Sequence, residues 1–405
     1  MARRRRNYDI IIVGGGMCGA AMALELQALG LNIAMIECQP PQARPGLPER
    51  VIALSHGSRC HLDALGVWPD IRAQRAAPIR QVFVCEVDNR GMVQLHHRQA
   101  HVDALGYVVE NAHILSAMRA HLKENVDTYC PASVQEIGLA DDVMHVHIRD
   151  AGGEKHLKCA LLVGADGTNS QIRRMAGIGT LGWDHNRFGI VASVTPAKPH
   201  AYIAYECFRT SGPLALLPLD EERFSIVWTQ TPEEAARCLV MPDTVFLRSL
   251  NRAMGERLRA KCGGIVKTGP RACFPFELRQ ATARTAARLA LIGNAVHTLH
   301  PVAGQGLNLG LRDVRALGGA VRAAVEGGRD VGGRIVLETY ADARCMDNAA
   351  VVAFTEGLNA VFNNDLAPVR FVRGWGLQVM QRLPIARNWL MRHAAGLSQM
   401  QGQGT

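Results

Sequence analysis

The sequence predicts an α/β fold: one unit built on a parallel sheet, a β-rich unit that interrupts it, and a helical C-terminal region. Three observations predict it. Glycine-rich turns follow short apolar strands at three widely separated places, at Gly14, Gly164 and Gly293. A helix is expected directly after each turn. Between the turns, alternating runs read as β-hairpins.

The first element is "YDIIIVGGGMCGAAMALELQALGLNIAMIE". Ile10 to Val13 are continuously apolar, as a strand covered on both faces is. Gly14, Gly16 and Gly19 follow in G-x-G-x-x-G spacing, and a helix is predicted over 17–29 with Ala21, Leu24 and Ala28 on one side. Gly30 ends it, because glycine tolerates left-handed geometry. "NIAMIE" is the second strand, closed by Glu37. Gly14 permits a tight turn, Gly16 lets the backbone approach a pyrophosphate, and Gly19 lets helix and strand pack closely. The helix N-terminus favours an anion. Glu37 stands where a carboxylate accepts from ribose hydroxyls, and its charge disfavours a 2′-phosphate. FAD or NAD, rather than NADP, is the occupant this segment predicts.

The second turn lies in "KCALLVGADGTNSQIRRMAG". A strand over 160–163 runs into Gly164-Ala165-Asp166-Gly167, and Ser170 and Arg173 begin a helix. Asp-Gly suits a sharp turn in which Asp166 bonds following amides; taken alone, the segment is equally a plain strand-to-helix turn. The third turn lies in "RLALIGNAVHTLHPVAGQGLNLGLRDVRAL". A strand over 289–292 ends at Gly293-Asn294. After His300-Pro301, Gly304 and Gly306 introduce a helix with Leu307, Leu311, Val314, Leu317 and Val321 as its buried stripe. Such a loop offers bare amides and a helix N-terminus to a flat ring that gains negative charge on reduction.

If the three turns meet, the unit that carries them is discontinuous: 1–75, 101–182 and 283–345. The inserted unit is 76–100 and 183–282. There "RQVFVCEVDNRGMVQLHH" and "PLALLPLDEERFSIVWTQ" each read as a hairpin, and their strands should form a sheet. The remainder, 346–405, reads as helical. In it Phe371, Trp375, Val379 and Leu383 recur at helical spacing among arginines; the helix either packs on its own core or docks on a membrane or partner.

Composition bounds the rest. The chain has 405 residues, 48% of them hydrophobic and 20% charged, which suits a folded chain of two or three packed units. Net charge is +9, partly from Arg3 to Arg6, but aromatics are scarce at 5% and not interleaved with basic residues. That pattern argues against nucleic acid and leaves a solvated face or weak attraction to an anionic surface. The 11 cysteines include no C-x-x-C pair, so reduced thiols in a cytoplasmic setting are expected, with no disulfide scaffold and no metal site. His145 and His147 share one strand face but lack further ligands. No apolar stretch reaches the roughly 20 residues that a membrane span needs.

The three glycine motifs, in this order, resemble those of the FAD-dependent aromatic hydroxylases, the single-component flavoprotein monooxygenases. The resemblance lies in G-x-G-x-x-G, in G-A-D-G-x-x-S-x-x-R, and in G-D-x-x-H-x-x-x-P-x-x-G-Q-G-x-N, where Asn294 replaces the usual Asp. With "ERVIALSHGSRCHLDALGVW", "YVVENAHI" and "GPLALLPLDEERFSIVWT", it extends to the ubiquinone-biosynthesis branch over about residues 8–345. It implies a Rossmann-like FAD-binding domain with an inserted β-sheet substrate domain, as in p-hydroxybenzoate hydroxylase. It also implies FAD contacts from Gly14, Gly16, Gly19, Glu37, Arg50, Asp166, Gly167, Asn294, Pro301, Gly304, Gln305, Gly306, Leu307 and Asn308. Asn294 keeps an acceptor but loses the charge.

The implied cycle is reduction of FAD by NADPH or NADH, uptake of O2 to a C4a-hydroperoxide, and transfer of one oxygen to a polyprenyl methoxyphenol. No second glycine fingerprint serves NADPH. No base is identified; Tyr202 and Tyr205 qualify by residue type alone, and His297 is more readily a loop-shaping residue than a proton carrier. A polyprenyl substrate demands either peripheral contact with the inner membrane or delivery within a biosynthetic complex. The alternatives are a non-hydroxylating flavoenzyme of the same fold, such as a prenyl reductase or halogenase, and a flavin-binding scaffold. The scattered tryptophans Trp68, Trp183, Trp228, Trp375 and Trp389 do not form the halogenase W-x-W-x-I-P signature.

Overall fold

The computed structural model describes residues 7–40, 50–87, 92–209, 211–298 and 305–362. Its first strand, Tyr8–Val13, pairs in parallel with Ile33–Ile36 on one side and Gly153–Gly164 on the other. Leu289–Leu291 extends this sheet beyond Gly153–Gly164, and Val126–Tyr129 extends it beyond Ile33–Ile36, both in parallel. The strands are apolar where both faces are covered, over residues 10–13, Ile33–Ile36 and residues 161–163; Ile10, Ile11 and Ile12 are fully buried.

The helix Met17–Gln27 is covered almost all round, with Ala20, Ala21, Met22 and Ala23 at zero exposure. It is wedged between the sheet and the helices Asn111–Ala120 and Gln305–Glu326. Its small residues Gly19, Ala20, Ala21 and Ala23 let these neighbours approach. Gly30 beyond it has φ +67°, as a helix-ending glycine should.

A second sheet of eight strands runs from His297–Thr298 through Ile265–Ala281, Thr180–Pro196, Phe224–Gln230, Leu214–Pro218, Ile203–Phe208 and Gln81–Glu86 to Met92–His96. Both expected hairpins are present: Gln81–Glu86 with Met92–His96, and Leu214–Pro218 with Phe224–Gln230. One face carries Phe83, Ile190, Tyr205, Leu216, Phe224, Ile226 and Trp228 into a core completed by Phe246 and Leu250 of the helix Asp243–Cys262. Each such side chain contributes about 1.5–3 kcal/mol on burial. A small third sheet, Val51–Ser55, Gly106–Glu110 and Ala77–Ile79, packs against the other face.

The element bounds differ from the sequence reading at three points. Ala77–Ile79, read as part of the insert, pairs with Gly106–Glu110 instead. Thr180–Pro196 already belongs to the second sheet before position 183. The division at 345/346 falls inside one continuous helix, Arg334–Phe362, since no glycine or proline interrupts the chain before Gly357. The amphipathic segment around Phe371 and Trp375 lies outside the described residues.

Candidate functional site

Tyr8–Val13, Gly153–Gly164 and Leu289–Leu291 are parallel neighbours, so the three glycine turns leave the same edge of the sheet. Hydrogen bonds then tie the turns together. Ala165 N donates to Val13 O at 2.7 Å and Ile292 N to Gly164 O at 2.9 Å. Arg173 Nη1, behind the second turn, donates to Ala295 O in the third at 2.8 Å. Thr298 Oγ1 donates to Thr168 Oγ1 at 3.0 Å. Turns more than a hundred residues apart thus form one surface.

The glycines of the first turn have distinct reasons to be glycine. Gly14 has φ +107°, and a Cβ there would lie 2.4 Å from Ala165 O. A Cβ on Gly19 would meet Gly14 O at 1.8 Å, so it holds the helix against its strand. A Cβ on Gly16 would meet nothing within 4 Å. Gly16 is also the N-cap of the helix, with no side-chain cap. Open space in front of uncapped first-turn amides is a cradle for an anion. Glu37 flanks it: Oε2 accepts from Gly15 N at 2.7 Å and Oε1 from Gln39 N at 2.8 Å. A carboxylate has further lone pairs for hydroxyl donors.

In the second turn Asp166 faces inward. Oδ2 accepts from Gln171 N at 2.7 Å and Ile172 N at 3.1 Å, and Oδ1 accepts from Ser170 Oγ at 2.5 Å. It caps the short helix Gln171–Met175 rather than the amides next to it. Gly167 has φ +83° and open space beside it. In the third turn Asn294 is exposed while Gly293, Ala295 and Val296 are buried. Asn294 is therefore the solvent-facing residue of this turn. Gly306 faces open space, Leu307 is buried, and Asn308 is clamped to the strand Val51–Ser55. Asn308 Nδ2 donates to Ala53 O, and Ser55 N donates to Asn308 Oδ1, each at 2.9 Å. Arg50, exposed, precedes that strand. Pro301 and Gly304 lie outside the described residues, and Gln305 opens the helix Gln305–Glu326.

Two residues that the sequence reading passed over support this surface. Arg119 Nη2 donates to Gly15 O at 3.1 Å. Asp313, fully buried about two turns into the helix Gln305–Glu326, accepts from Gly293 N at 3.0 Å and pairs with His297 Nε2 at 2.7 Å. Arg344 Nε donates to its other oxygen at 2.7 Å, and Arg344 also pairs with Asp347. Burial alone would raise the Asp313 carboxyl, but His297 and Arg344 outweigh it and hold the group below the usual carboxylate range. Its sequence signal was an acid within the apolar stripe beside Val314; nothing local pointed to Arg344.

On the second sheet, alternate residues face away from the core just described and towards the small sheet. One cross-strand line on this face runs Val84, Glu206, Ala215, Val227, Val191, Ala272. All six are half-buried, giving an apolar floor with one carboxyl in it. Tyr205 points the other way, into the core, where burial pushes its hydroxyl up to about 12. Tyr202 sits in the turn before the strand with the Arg80 guanidinium 4.9 Å above its ring. Neither tyrosine belongs to the floor. His145 and His147 do share a strand face, with His156 Nε2 3.0 Å from His145 Nδ1; among the described residues no group of three His, Cys, Asp or Glu side chains could hold a metal. Among them, too, no helix is long and apolar enough to cross a membrane.

A parallel sheet with three converging glycine turns, joined to a large, mostly antiparallel sheet, defines the flavoprotein monooxygenase class of fold. p-Nitrophenol 4-monooxygenase PnpA from Pseudomonas putida shares it, with a TM-score of 0.79 over 98% of this chain and 99% of that one, at 17% identity. The chain belongs to the FAD binding domain family, whose description matches residues 7–355. It is 34% identical to the ubiquinone hydroxylase UbiL of Rhodospirillum rubrum, covering 96% of this chain and 89% of that protein. It is 33% identical to the 3-demethoxyubiquinol 3-hydroxylase of Escherichia coli, covering 96% and 98%.

Proposed function

We propose that this FAD-dependent monooxygenase hydroxylates the aromatic ring of a polyprenyl methoxyphenol in ubiquinone biosynthesis, with NADPH or NADH as reductant and O2 as co-substrate. The observation that carries the reading is the convergence of the three turns, with open space at Gly16, Gly167 and Gly306 and the apolar floor of the second sheet nearby. The ubiquinone hydroxylases among its relatives support the substrate class.

In this reading Gly14, Gly16 and Gly19 shape the pyrophosphate cradle and Glu37 accepts from the adenosine ribose. Asn294 meets the ribityl hydroxyls. The amides of Gly306, Leu307 and Asn308, at the start of the helix Gln305–Glu326, would hold the ring system, with Arg50 as a further contact. Asp166 and Gly167 keep the second turn open by internal capping. Bound flavin supplies hydride acceptance and oxygen activation; the protein holds it, orients the phenol and excludes water. The apolar floor suits a prenylated ring, and contact with the inner membrane or a biosynthetic complex would deliver it.

The test is NADPH oxidation by the purified yellow protein with a short-chain prenyl methoxyphenol under labelled dioxygen. Phenol-stimulated oxidation with one labelled oxygen in the ring is expected. Unstimulated oxidation that yields only hydrogen peroxide would refute the hydroxylase reading.

A further inference from the structure

We infer that Glu206 is the group that receives the phenolic O–H of the substrate, an assignment that rests on the hydroxylase reading above. Glu206 lies mid-strand in Ile203–Phe208. Tyr205 and Cys207 on either side of it point into the helix-covered core, so Glu206 points to the opposite face. Its direct cross-strand neighbours there are Val84 and Ala215. Two residues before it, Ala204 packs with Ala53, Val108 and Leu219; two residues after it, Phe208 packs with Val93, Leu95 and Leu105. The carboxyl therefore stands between two apolar clusters, and among the described residues no hydrogen bond or ion pair reaches it.

A polar group in such a place is costly unless something completes it. The nearby charges do not. Arg209 lies over Trp228 on the core face. Arg257 belongs to the helix Asp243–Cys262, which packs on that same core face. The thiols of Cys85 and Cys207, which feel Glu206 electrostatically, point into the core as well. Glu86 is the other carboxyl on the Glu206 face, level with Phe208, and it is buried. The small-sheet residues that meet this face, Val51, Ala53, Ala77, Ile79 and Val108, are all apolar.

The position also fits the reaction. The strand that covers this face, Val51–Ser55, is the one that Asn308 clamps to the third glycine turn. The floor and the ring end of the flavin site thus share a wall. Burial alone pushes the Glu206 carboxyl up to about 7. A phenol loses its proton near 10, so the gap is about 3 units instead of the roughly 6 facing an ordinary glutamate. In the transfer the phenol O–H bond breaks and a carboxyl O–H bond forms, while the electron pair stays on the phenolate oxygen and enriches the ring. At that gap the proton moves as oxygen transfer proceeds rather than before it, as general-base catalysis requires. The proton then leaves to solvent, restoring the carboxylate.

The experiment compares the FAD-loaded wild type with Glu206→Gln and Glu206→Asp, using a methoxyphenol bearing one prenyl unit. It measures flavin content, phenol binding by the change in flavin absorption, and product formation across pH 5.5–9. Glu206→Gln should keep its flavin and its reduction by NADPH but lose about 10²–10⁴-fold in hydroxylation. The acidic limb of the wild-type profile near pH 7 should disappear in it. Glu206→Asp should keep that limb, and it carries the test if the Gln variant fails to hold flavin. Hydroxylation by Glu206→Gln at the wild-type rate with the limb intact, or an Asp variant without the limb, would overturn the assignment while leaving the hydroxylase reading in place. A wild type that makes no hydroxylated product overturns the hydroxylase reading and this assignment with it.

Discussion

At the residue scale, two glycines three positions apart separate folding from binding. Gly19 is needed for packing, since a methyl there would sit 1.8 Å from Gly14 O. Gly16 has room for a methyl, but in the space where an anion would lie. Gly16→Ala should therefore leave the apo-protein's thermal midpoint nearly unchanged and weaken FAD binding at least tenfold, read by flavin fluorescence titration. Gly19→Ala should lower the midpoint itself, because strand and helix must separate. Equal behaviour of the two variants would show that the open space at Gly16 is not the binding cradle. Glu37→Ala should weaken FAD by about 1.5–3 kcal/mol, the range for hydrogen bonds to a charged group, measured by the same titration. The Gly15 amide it now accepts from would also lose its partner.

At the element scale, the helices Gln305–Glu326 and Arg334–Phe362 fix the third turn through a buried ionic hub. Asp313 ties Gly293 and His297 to Arg344, whose side chain is 2% exposed, and Tyr340 Oη donates to Leu291 O at 2.7 Å beside it. Removing one partner of a buried pair strands the other charge, at about 3–5 kcal/mol. Asp313→Asn should cost that much in chemical denaturation and release flavin on gel filtration, because the Gly293 turn loses its anchor. The Asp313 carboxyl is held below its ordinary value when folded. Its stabilising contribution is therefore present above the unfolded value near 4 and is lost as pH falls through the folded one. The Asn variant should consequently differ from wild type at pH 7 and converge with it in acid.

At the scale of the whole molecule, Glu206 has the opposite sign. Its carboxyl titrates near 7 when folded, against 4.5 unfolded. Between those values the folded state binds more protons, so its contribution falls as pH rises and the full penalty stands above pH 7. Glu206→Gln should melt higher than wild type at pH 8, with the difference fading by pH 5 in a pH series of melting curves. A variant that gains stability while losing hydroxylation would mark the carboxyl as kept for chemistry rather than for the fold. The joint between the two sheets has the same character: its half-buried apolar floor suits a prenylated ring.

The sequence by itself determined the local elements and the class of fold. Strand, glycine turn and helix are short-range patterns: the tight turn at Gly14 and the close packing at Gly19 are as their spacing predicted, and the stripe from Leu307 to Val321 is buried as its spacing predicted. Both hairpins were legible for the same reason. Only the tertiary structure decided which side chains meet. Arg344 reaches Asp313 from a different helix, Asn308 holds a strand some 250 positions earlier, and Asp166 is spent on capping. The tyrosines chosen by residue type proved to face a turn and a core, while Glu206, next to Tyr205, faces the floor. A strand's alternation tells which residues share a face. Which face meets a helix and which meets another sheet depends on sheet order, and that is set by contacts between segments too far apart for any local pattern to record.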